Sequence, residues 1–185
     1  MKKKIVIFFL YIFFIQSSQA DIKSKIISNL EKTNNLTFDF RQNINNKTEI
    51  GNCAIKYPKK IYCIYKNLNK KLMVSNGRSL VIKNKNINQY YVYPINRTPL
   101  NLILDKKYLI DRIKDLDSRI IENQYINFTL INDKYEINIF FDIESLNLIG
   151  WQTEDIYQNL VITFISNVRL NQKINEDIFK LPERN

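Results

Sequence analysis

The chain has 185 residues, 45% of them hydrophobic, and a formal net charge of +10 at pH 7. It has no histidine, which excludes Ser-His-Asp and Cys-His catalysis and leaves a metal site with only carboxylate and thiolate ligands. No glycine-rich phosphate loop occurs, so we expect no cofactor and no bound metal. The length suits one domain with a substantial apolar core.

The first twenty residues have the three parts of a secretory signal peptide. Lys2, Lys3 and Lys4 form a cationic region, residues 5–15 are apolar, and Ser18-Gln19-Ala20 has small residues at the cleavage site. The apolar run is shorter than the ~20 residues of a membrane-spanning helix; an uncleaved anchor is the alternative. We therefore predict a cleaved signal peptide over residues 1–20 and one exported domain over residues 21–185.

The first element of that domain is predicted to be an amphipathic helix of about three turns. Ile22, Ile26, Ile27 and Leu30 lie on one stripe, with lysines opposite. From residue 36 the period changes to two, which indicates a strand.

Short strand patterns then recur at even spacing. They span residues 48–56, 61–66, 71–75, 79–83 and 89–93, and after an interruption 125–131, 135–141, 146–154 and 159–168. Tight turns, many with asparagine, separate them. This pattern predicts a mainly β fold whose antiparallel sheet forms a barrel or is strongly curved.

Both cysteines lie in one predicted hairpin. Cys53 and Cys63 flank the turn signal at residues 58–60 and have equal strand parity, so both side chains can point to one face. An oxidising compartment favours a disulfide, and two free thiols are the alternative. We expect a cross-strand disulfide that contributes ~2–3 kcal/mol.

The strand patterns are interrupted by "TPLNLIL", residues 98–104. Thr98 suits a helix N-cap and Pro99 the first helical position. The four leucine and isoleucine residues that follow surround one short helix with apolar side chains, so it must be buried on most sides. In a β protein such a helix fits against the open mouth or the inner face of the sheet.

Two carboxylate pairs are candidates for a catalytic dyad or a calcium site, namely Asp115 with Asp117 and Asp142 with Glu144. Solvated turn residues are the simpler interpretation, and no convergent polar site is visible. We therefore expect no catalytic residue and no enzyme activity. The many aromatic residues in strand patterns instead favour a core or the lining of a cavity for an apolar ligand.

The mature chain resembles the LolA family of periplasmic outer-membrane lipoprotein carriers. The resemblance rests on five segments in order, at residues 36–44 ("LTFDFRQNI"), 51–65 (Gly51 and "IKYPKKIYCIY"), 72–94, 98–104 and 160–183. It implies a half-open antiparallel β-barrel, that is, a strongly curved sheet, with short α-helices forming a lid over an apolar cavity.

The resemblance also implies a non-enzymatic chaperone. Such a carrier accepts triacylated lipoproteins from an inner-membrane lipoprotein-releasing ABC transporter, shields their acyl chains, and delivers them to an outer-membrane receptor or to the membrane itself. We expect a monomer in the periplasm with no nucleic-acid partner. Two alternatives stay open: a LolA-like carrier of another lipid or glycolipid, and a non-carrier interaction protein associated with the outer membrane.

The expected site residues are apolar, and ordinary core packing is the alternative for each. We expect the cavity to be lined by Phe38, Phe40, Ile55, Ile61, Leu72, Val74, Tyr91, Phe128, Leu130, Ile137 and Ile139. We expect the lid to comprise Ile26, Ile27, Leu30, Leu100, Leu102 and Ile103.

One position departs from the family pattern. The family usually has an arginine before the turn proline that bonds the lid helices, and Tyr57 takes that place here. The lid latch is therefore expected to be weaker, differently wired, or moved to Lys56 or Lys59, unless the disulfide stiffens the hairpin instead.

Overall fold

The computed structural model describes residues 20–66, 70–132, 134–155 and 158–184. The predicted signal peptide, apart from Ala20, lies outside these residues. Within them, eleven strands form one antiparallel sheet: β1 Asn35–Ile44, β2 Lys47–Lys56, β3 Lys60–Tyr65, β4 Lys71–Asn76, β5 Ser79–Asn84, β6 Gln89–Pro94, β7 Arg119–Ile121, β8 Tyr125–Ile131, β9 Glu136–Asp142, β10 Leu148–Glu154 and β11 Leu160–Leu170. The predicted mainly β fold, a curved open sheet with short helices, is confirmed.

Three α-helices accompany the sheet in the described residues: α1 over residues 20–32, α2 Leu100–Leu104 and α3 Lys106–Asp115. The predicted first helix and the predicted helix near residue 100 both form, the latter with Pro99 rather than Thr98 as its N-cap. Sequence patterns missed α3 and the three-residue β7. Among the described residues, no helix has the length and apolar character needed to cross a bilayer.

The order of the strands explains why the helices cover the sheet. Strands β1 to β6 follow one another outward to one edge, and β7 to β11 return from the other edge until β11 pairs with β1. The chain must therefore pass from edge to edge between β6 and β7, and α2 and α3 lie on that crossing. The two edges do not pair with each other in the described residues, so the sheet is half open.

The inner face of the sheet, which the helices cover, carries the main core. Ile26 and Leu30 of α1 and Ile103 of α2 are buried there. They pack in one cluster with inward residues of the second half of the sheet, namely Ile126, Phe128, Leu130, Ile137, Ile139 and Phe141. This half of the inner face is therefore filled by protein side chains.

The outer face of β3 and β4 is covered by the C-terminal segment. Glu176 forms ion pairs with Lys56 and Lys60, and Phe179 beside it is buried. Further along, Tyr90 Oη donates to the carbonyl of Pro182 at 2.8 Å. Because this segment covers the outer side, strands such as β4 bury apolar side chains on both faces.

Candidate functional site: an apolar cavity under helix α2

A cavity of about 430 Å³ lies on the inner face, between the first half of the sheet and the start of α2. Its volume falls in the range of about 300–1,000 Å³ that is usual for ligand sites. Aromatic and aliphatic side chains make most of its lining: Phe38, Phe40, Ile44, Ile61, Tyr65, Met73, Leu80, Ile82, Tyr91, Tyr93, Leu100, Trp151 and Val161.

Strand alternation directs these side chains inward. In β1, Phe38 and Phe40 point into the cavity, while Asp39 between them binds Asn167 on the outer side at 2.7 Å. In β3, Ile61 and Tyr65 are four positions apart, so they lie on the same face of the strand, and both line the cavity. The alternation therefore produces a continuous apolar wall from β1 to β6.

Gly51 allows two aromatic rings to pack side by side in this wall. It lies opposite Phe40 in the β1–β2 ladder and opposite Tyr65 in the β2–β3 ladder. The Phe40 and Tyr65 rings meet edge to face, with centroids 4.8 Å apart. A Cβ atom on Gly51 would approach the Phe40 ring to 2.6 Å, so a larger residue would push that ring into the cavity.

The cysteine pair is part of the same wall. Cys53 and Cys63 are directly opposite in the β2–β3 ladder, and their sulfur atoms lie at disulfide-bonding distance. Both residues are buried and both line the cavity. The disulfide thus joins the two strands whose connecting turn, residues 57–59, contacts the end of α2.

One end of the cavity is polar. This end lies near the last residues of β1 and β10 and the first residue of β6, and it is lined by the side chains of Gln42, Lys71, Gln89, Thr153, Glu154, Asp155 and Thr163. Gln42 Nε2 donates to Thr163 Oγ1 at 3.0 Å, and Lys71 pairs with Glu49, which lies outside the lining. Lys71 Nζ also lies 3.8 Å from the centroid of the Tyr65 ring. Burial raises the pKa of Tyr65, and the Glu49 carboxylate acts in the same direction.

The opposite end of the cavity is covered by the start of α2. Thr98, Pro99 and Leu100 contribute to the lining there. By contrast, the void beneath α1 measures about 20 Å³, room for about one water molecule. Of the two covering helices, α2 is therefore the one that borders free space, and α1 is seated on packed side chains.

The turn between β2 and β3 bonds directly to the end of α2. The backbone N–H of Lys59 donates to the carbonyl of Leu104 at 2.9 Å, and the Lys59 ammonium lies 3.1 Å from the Asp105 carboxylate. Asp105 also caps α3, because its side chain accepts a hydrogen bond from the Tyr108 N–H. One turn thus contacts the junction of both helices.

Helices α1 and α3 hold each other through lysine side chains that bind C-terminal carbonyls. Lys106 Nζ at the start of α3 donates to the carbonyls of Glu31 and Thr33, at the end of α1, at 3.1 and 2.9 Å. Lys23 of α1 donates to the carbonyl of Lys114 in the last turn of α3. A cation at a helix C-terminus satisfies unpaired carbonyls and opposes the helix dipole, so both contacts are favourable.

Tyr57 packs under this helix pair. Its backbone N–H donates to the carbonyl of Asn34 at 3.0 Å, and Lys106 Nζ lies 5.6 Å from the centroid of its ring. Burial raises the pKa of the Tyr57 hydroxyl. Lys56 points outward to Glu176, so the lysine of this turn that reaches the helices is Lys59.

The structure distributes the expected cavity residues over three places. Phe38, Phe40, Ile61 and Tyr91 line the cavity. Ile55, Phe128, Leu130, Ile137 and Ile139 are buried in the main core. Leu72 and Val74 lie on the outer face, because Met73 between them lines the cavity.

The expected lid residues are also divided. Leu100 lines the cavity, whereas Ile26, Leu30, Leu102 and Ile103 are buried in the core and Ile27 packs against it. Sequence reasoning missed the apolar lining residues Ile44, Tyr65, Met73, Leu80, Ile82, Tyr93, Trp151 and Val161. Strand alternation could have identified several of them. Tyr65, for example, is four positions after the expected cavity residue Ile61 and therefore points to the same face.

The carboxylate pairs do not converge on the cavity. Asp142 accepts a hydrogen bond from the Ser145 N–H at 2.7 Å, and its bonds with Ser145 lower the pKa of its carboxyl. This is the behaviour of a turn-capping residue. Within the described ranges, no group of three or more cysteine, aspartate or glutamate residues has an arrangement that could hold a metal ion.

Comparisons with known proteins identify the family of the chain. The family model described as "outer membrane lipoprotein carrier protein LolA" matches residues 31–182. The outer-membrane lipoprotein carrier protein of Francisella tularensis subsp. tularensis strain WY96-3418 is 31% identical over 114 residues, 58% of this chain and 54% of that protein. The protein of subsp. novicida strain U112 gives the same identity and coverage. The match thus spans about half the length of these relatives.

Among solved structures, an uncharacterized conserved protein from Thermus thermophilus has a TM-score of 0.52 at 6% identity, covering 89% of this chain and 94% of that one. This likeness concerns the fold alone. A LolA superfamily protein from Nitrosomonas europaea has a TM-score of 0.42 at 10% identity, with coverages of 85% and 97%.

The family model matches residues 31–182, which is most of the 185 residues of this chain. The chain therefore belongs to the LolA family.

Proposed function

We propose that the protein is a periplasmic chaperone that binds the acyl chains of lipoproteins released from the inner membrane and delivers them to the outer membrane. The observation that carries the proposal is the apolar cavity beneath α2. Membership of a family of outer membrane lipoprotein carriers supports it.

Acyl chains need such a cavity because their exposure to water is costly. Each buried methylene contributes about 0.8 kcal/mol, so a lipoprotein does not leave a bilayer unless its chains are covered again. Phe38, Phe40 and Trp151 provide a large apolar area with few rotatable bonds. The cavity therefore offers a substitute for the membrane interior.

The size of the cavity implies that the lid moves. A methylene is similar in size to a water molecule, whose share of liquid volume is about 30 Å³, so 430 Å³ holds on the order of 14 methylenes. This is about one acyl chain. A triacylated anchor requires more room, and displacement of α2 would provide it. The contacts of Lys59 with Leu104 and Asp105 oppose that displacement, so they should slow both the entry and the exit of a ligand.

The polar end of the cavity suits an amphiphilic ligand. Acyl chains would lie against the aromatic wall, and the glyceryl-cysteine group and the following peptide would lie near Gln42, Lys71 and Gln89. Gln42 bonds Thr163, Lys71 pairs with Glu49, and most of the remaining lining is apolar. We therefore propose a binding function without catalysis.

We propose the rest of the route by analogy with the family. An inner-membrane ABC transporter would supply the lipoprotein, and an outer-membrane receptor or the outer membrane itself would accept it. The signal-peptide pattern of residues 1–20 supports export to the periplasm, and we propose that a single carrier domain, acting as a monomer, remains after its cleavage.

Trp151 provides a direct test, because it is the only tryptophan in the sequence and lines the cavity. Titration with a synthetic triacylated lipopeptide should change its fluorescence saturably at one ligand per protein. The Trp151→Phe variant gives the background signal, and the same peptide without acyl chains should have no effect. Failure of the lipopeptide to bind the folded protein would contradict the proposal, and binding of a diacylglycerol or glycolipid in its place would favour another lipid as cargo.

A further inference from the structure

Strand β6 is an edge of the sheet with free hydrogen-bonding capacity. It pairs with β5 on one side, and no other strand of the described residues pairs with it on the other. The N–H of Ile95 donates to the carbonyl of Arg78, so these two residues form a hydrogen-bonded pair at the end of the β5–β6 ladder. Since bonded and non-bonded pairs alternate, the N–H and C=O groups of Tyr90 and Val92 point away from β5.

The stretch of this edge before Pro94 lacks the charged residues that usually protect sheet edges. No charged residue occurs from Asn86 to Asn96, although the chain as a whole is strongly basic. Val92 is 52% exposed and Tyr91 44% exposed. The opposite edge, β7, is only three residues long and begins with Arg119. Natural proteins normally blunt an edge by charge, proline or shortness, so the uncharged stretch from Gln89 to Tyr93, which has no proline, favours a partner.

The same strand forms one side of the cavity. Gln89, Tyr91 and Tyr93 point inward and line it, with Gln89 at its polar end. A ligand whose acyl chains fill the cavity and whose head group lies at that end therefore continues into solvent beside β6.

We propose that β6 pairs with the extended peptide segment that follows the lipid-modified cysteine of the cargo. This inference rests on the proposed carrier function and deepens it. The peptide would add a strand outside β6, accepting from the N–H groups of Tyr90 and Val92 and donating to their carbonyls. Backbone pairing depends little on side chains, so one edge can accept cargoes of different sequence.

The C-terminal segment leaves this edge accessible. It crosses the outer face, where Lys83 Nζ donates to the carbonyl of Glu183 and Tyr90 Oη to that of Pro182. These are side-chain contacts to the tail. Among the described residues, no backbone hydrogen bond joins the tail to β6.

The test compares lipopeptides that share one triacylated cysteine and differ in the peptide that follows. One carries two further residues, one carries ten, and a third carries ten with alternate amides N-methylated so that it cannot form a ladder. We expect the ten-residue tail to bind about tenfold tighter than the short one, the equivalent of one or two net hydrogen bonds. N-methylation should abolish the gain. Amide hydrogen exchange at Tyr90 and Val92 should slow only with the unmethylated long tail.

Two variants of the protein provide matched controls. Val92→Pro removes an outward N–H from an edge position, where proline is tolerated, and should abolish the gain from the long tail. Val92→Thr keeps the N–H and should retain it. If Val92→Pro does not fold, the N-methylated peptide on the unaltered protein decides the question.

Equal affinity for the short and long lipopeptides would overturn the proposal and leave the carrier function standing. Failure of both to bind would overturn the carrier function, and this inference with it. Protection of the Tyr90 and Val92 amides in the free protein would also overturn the proposed pairing of β6 with cargo. A second copy of the protein or the C-terminal tail would then occupy the edge. Sedimentation of the free protein distinguishes these two occupants.

Discussion

The Lys59 ammonium lies 3.1 Å from the Asp105 carboxylate, so the β2–β3 turn is bonded to the junction of α2 and α3. The backbone of Lys59 adds a hydrogen bond to Leu104. Lys59 has a φ of 64°, a left-handed conformation that a lysine keeps only where its surroundings hold it. The turn and the lid therefore hold each other in place.

The first prediction concerns this ion pair. Asp105→Asn removes the charge but keeps an oxygen that can cap Tyr108. The side chains are 32% and 27% exposed, so the loss of stability should be at most about 1 kcal/mol. Dissociation of an apolar fluorescent probe from the cavity should nevertheless become several-fold faster. Stopped-flow fluorescence measures the rate and urea unfolding the stability.

Asp177→Asn is the matched control, because it breaks an exposed pair with Lys180 far from the lid. It should change neither quantity. An unaltered rate of probe release in Asp105→Asn would show that the pair does not hold the lid.

The second prediction separates lid from core. Leu100 lines the cavity, whereas Leu102 is 3% exposed and packs in the core. Leu100→Glu should weaken lipopeptide binding at least tenfold with little change in stability. Leu102→Glu buries an unpaired charge and should cost about 3–5 kcal/mol. Circular dichroism melts and the Trp151 titration give both readouts, and normal binding by Leu100→Glu would rule out this position for the ligand.

The third prediction concerns the Cys53–Cys63 disulfide. The two residues are ten positions apart, and a loop of this size is stabilised by about 2–3 kcal/mol. Reduction should therefore lower the melting temperature by roughly 5–10 °C. The double variant Cys53→Ala/Cys63→Ala should have this lowered melting temperature with or without reductant. A protein shown by mass spectrometry to be reduced, yet with an unchanged melt, would contradict the prediction.

The fourth prediction concerns alkaline pH. Burial raises the pKa of Tyr65 above the ordinary value of 10.0, so the folded state keeps a proton that the unfolded state releases. The stabilisation is therefore complete below about pH 10 and is lost as the pH rises further. Tyr57 acts in the same direction. Tyr65→Phe should show a shallower loss of unfolding free energy between about pH 10 and pH 12; a pH dependence identical to that of the parent would exclude Tyr65 as its source.

Most of the fold could be predicted because local patterns determine it. The alternation in "LTFDFRQNI" gave the inward direction of Phe38 and Phe40, and turn residues marked nearly every strand. Strand β4 shows the limit. The apolar residues Leu72 and Val74 were expected to point inward. The C-terminal segment covers the outer face, however, so Val74 is buried on that face and Met73 lines the cavity.

The cavity itself could not be located from sequence. Ile61 lines the cavity and Ile139 is core, although both are inward aliphatic residues of strands. The difference depends on which part of the inner face the helices fill, and that is set by the crossing from β6 to β7. The same long-range geometry brings Lys59 to Asp105, positions that are 46 residues apart (105 − 59).

Release of a lipoprotein from a membrane tests the central claim most directly. Spheroplasts that hold a labelled triacylated lipoprotein and an active releasing transporter are incubated with the protein, and the supernatant is examined. We expect a soluble one-to-one complex, which Leu100→Glu should fail to form. Label that stays in the membrane with the unaltered protein, under conditions in which a known carrier extracts it, would contradict the claim.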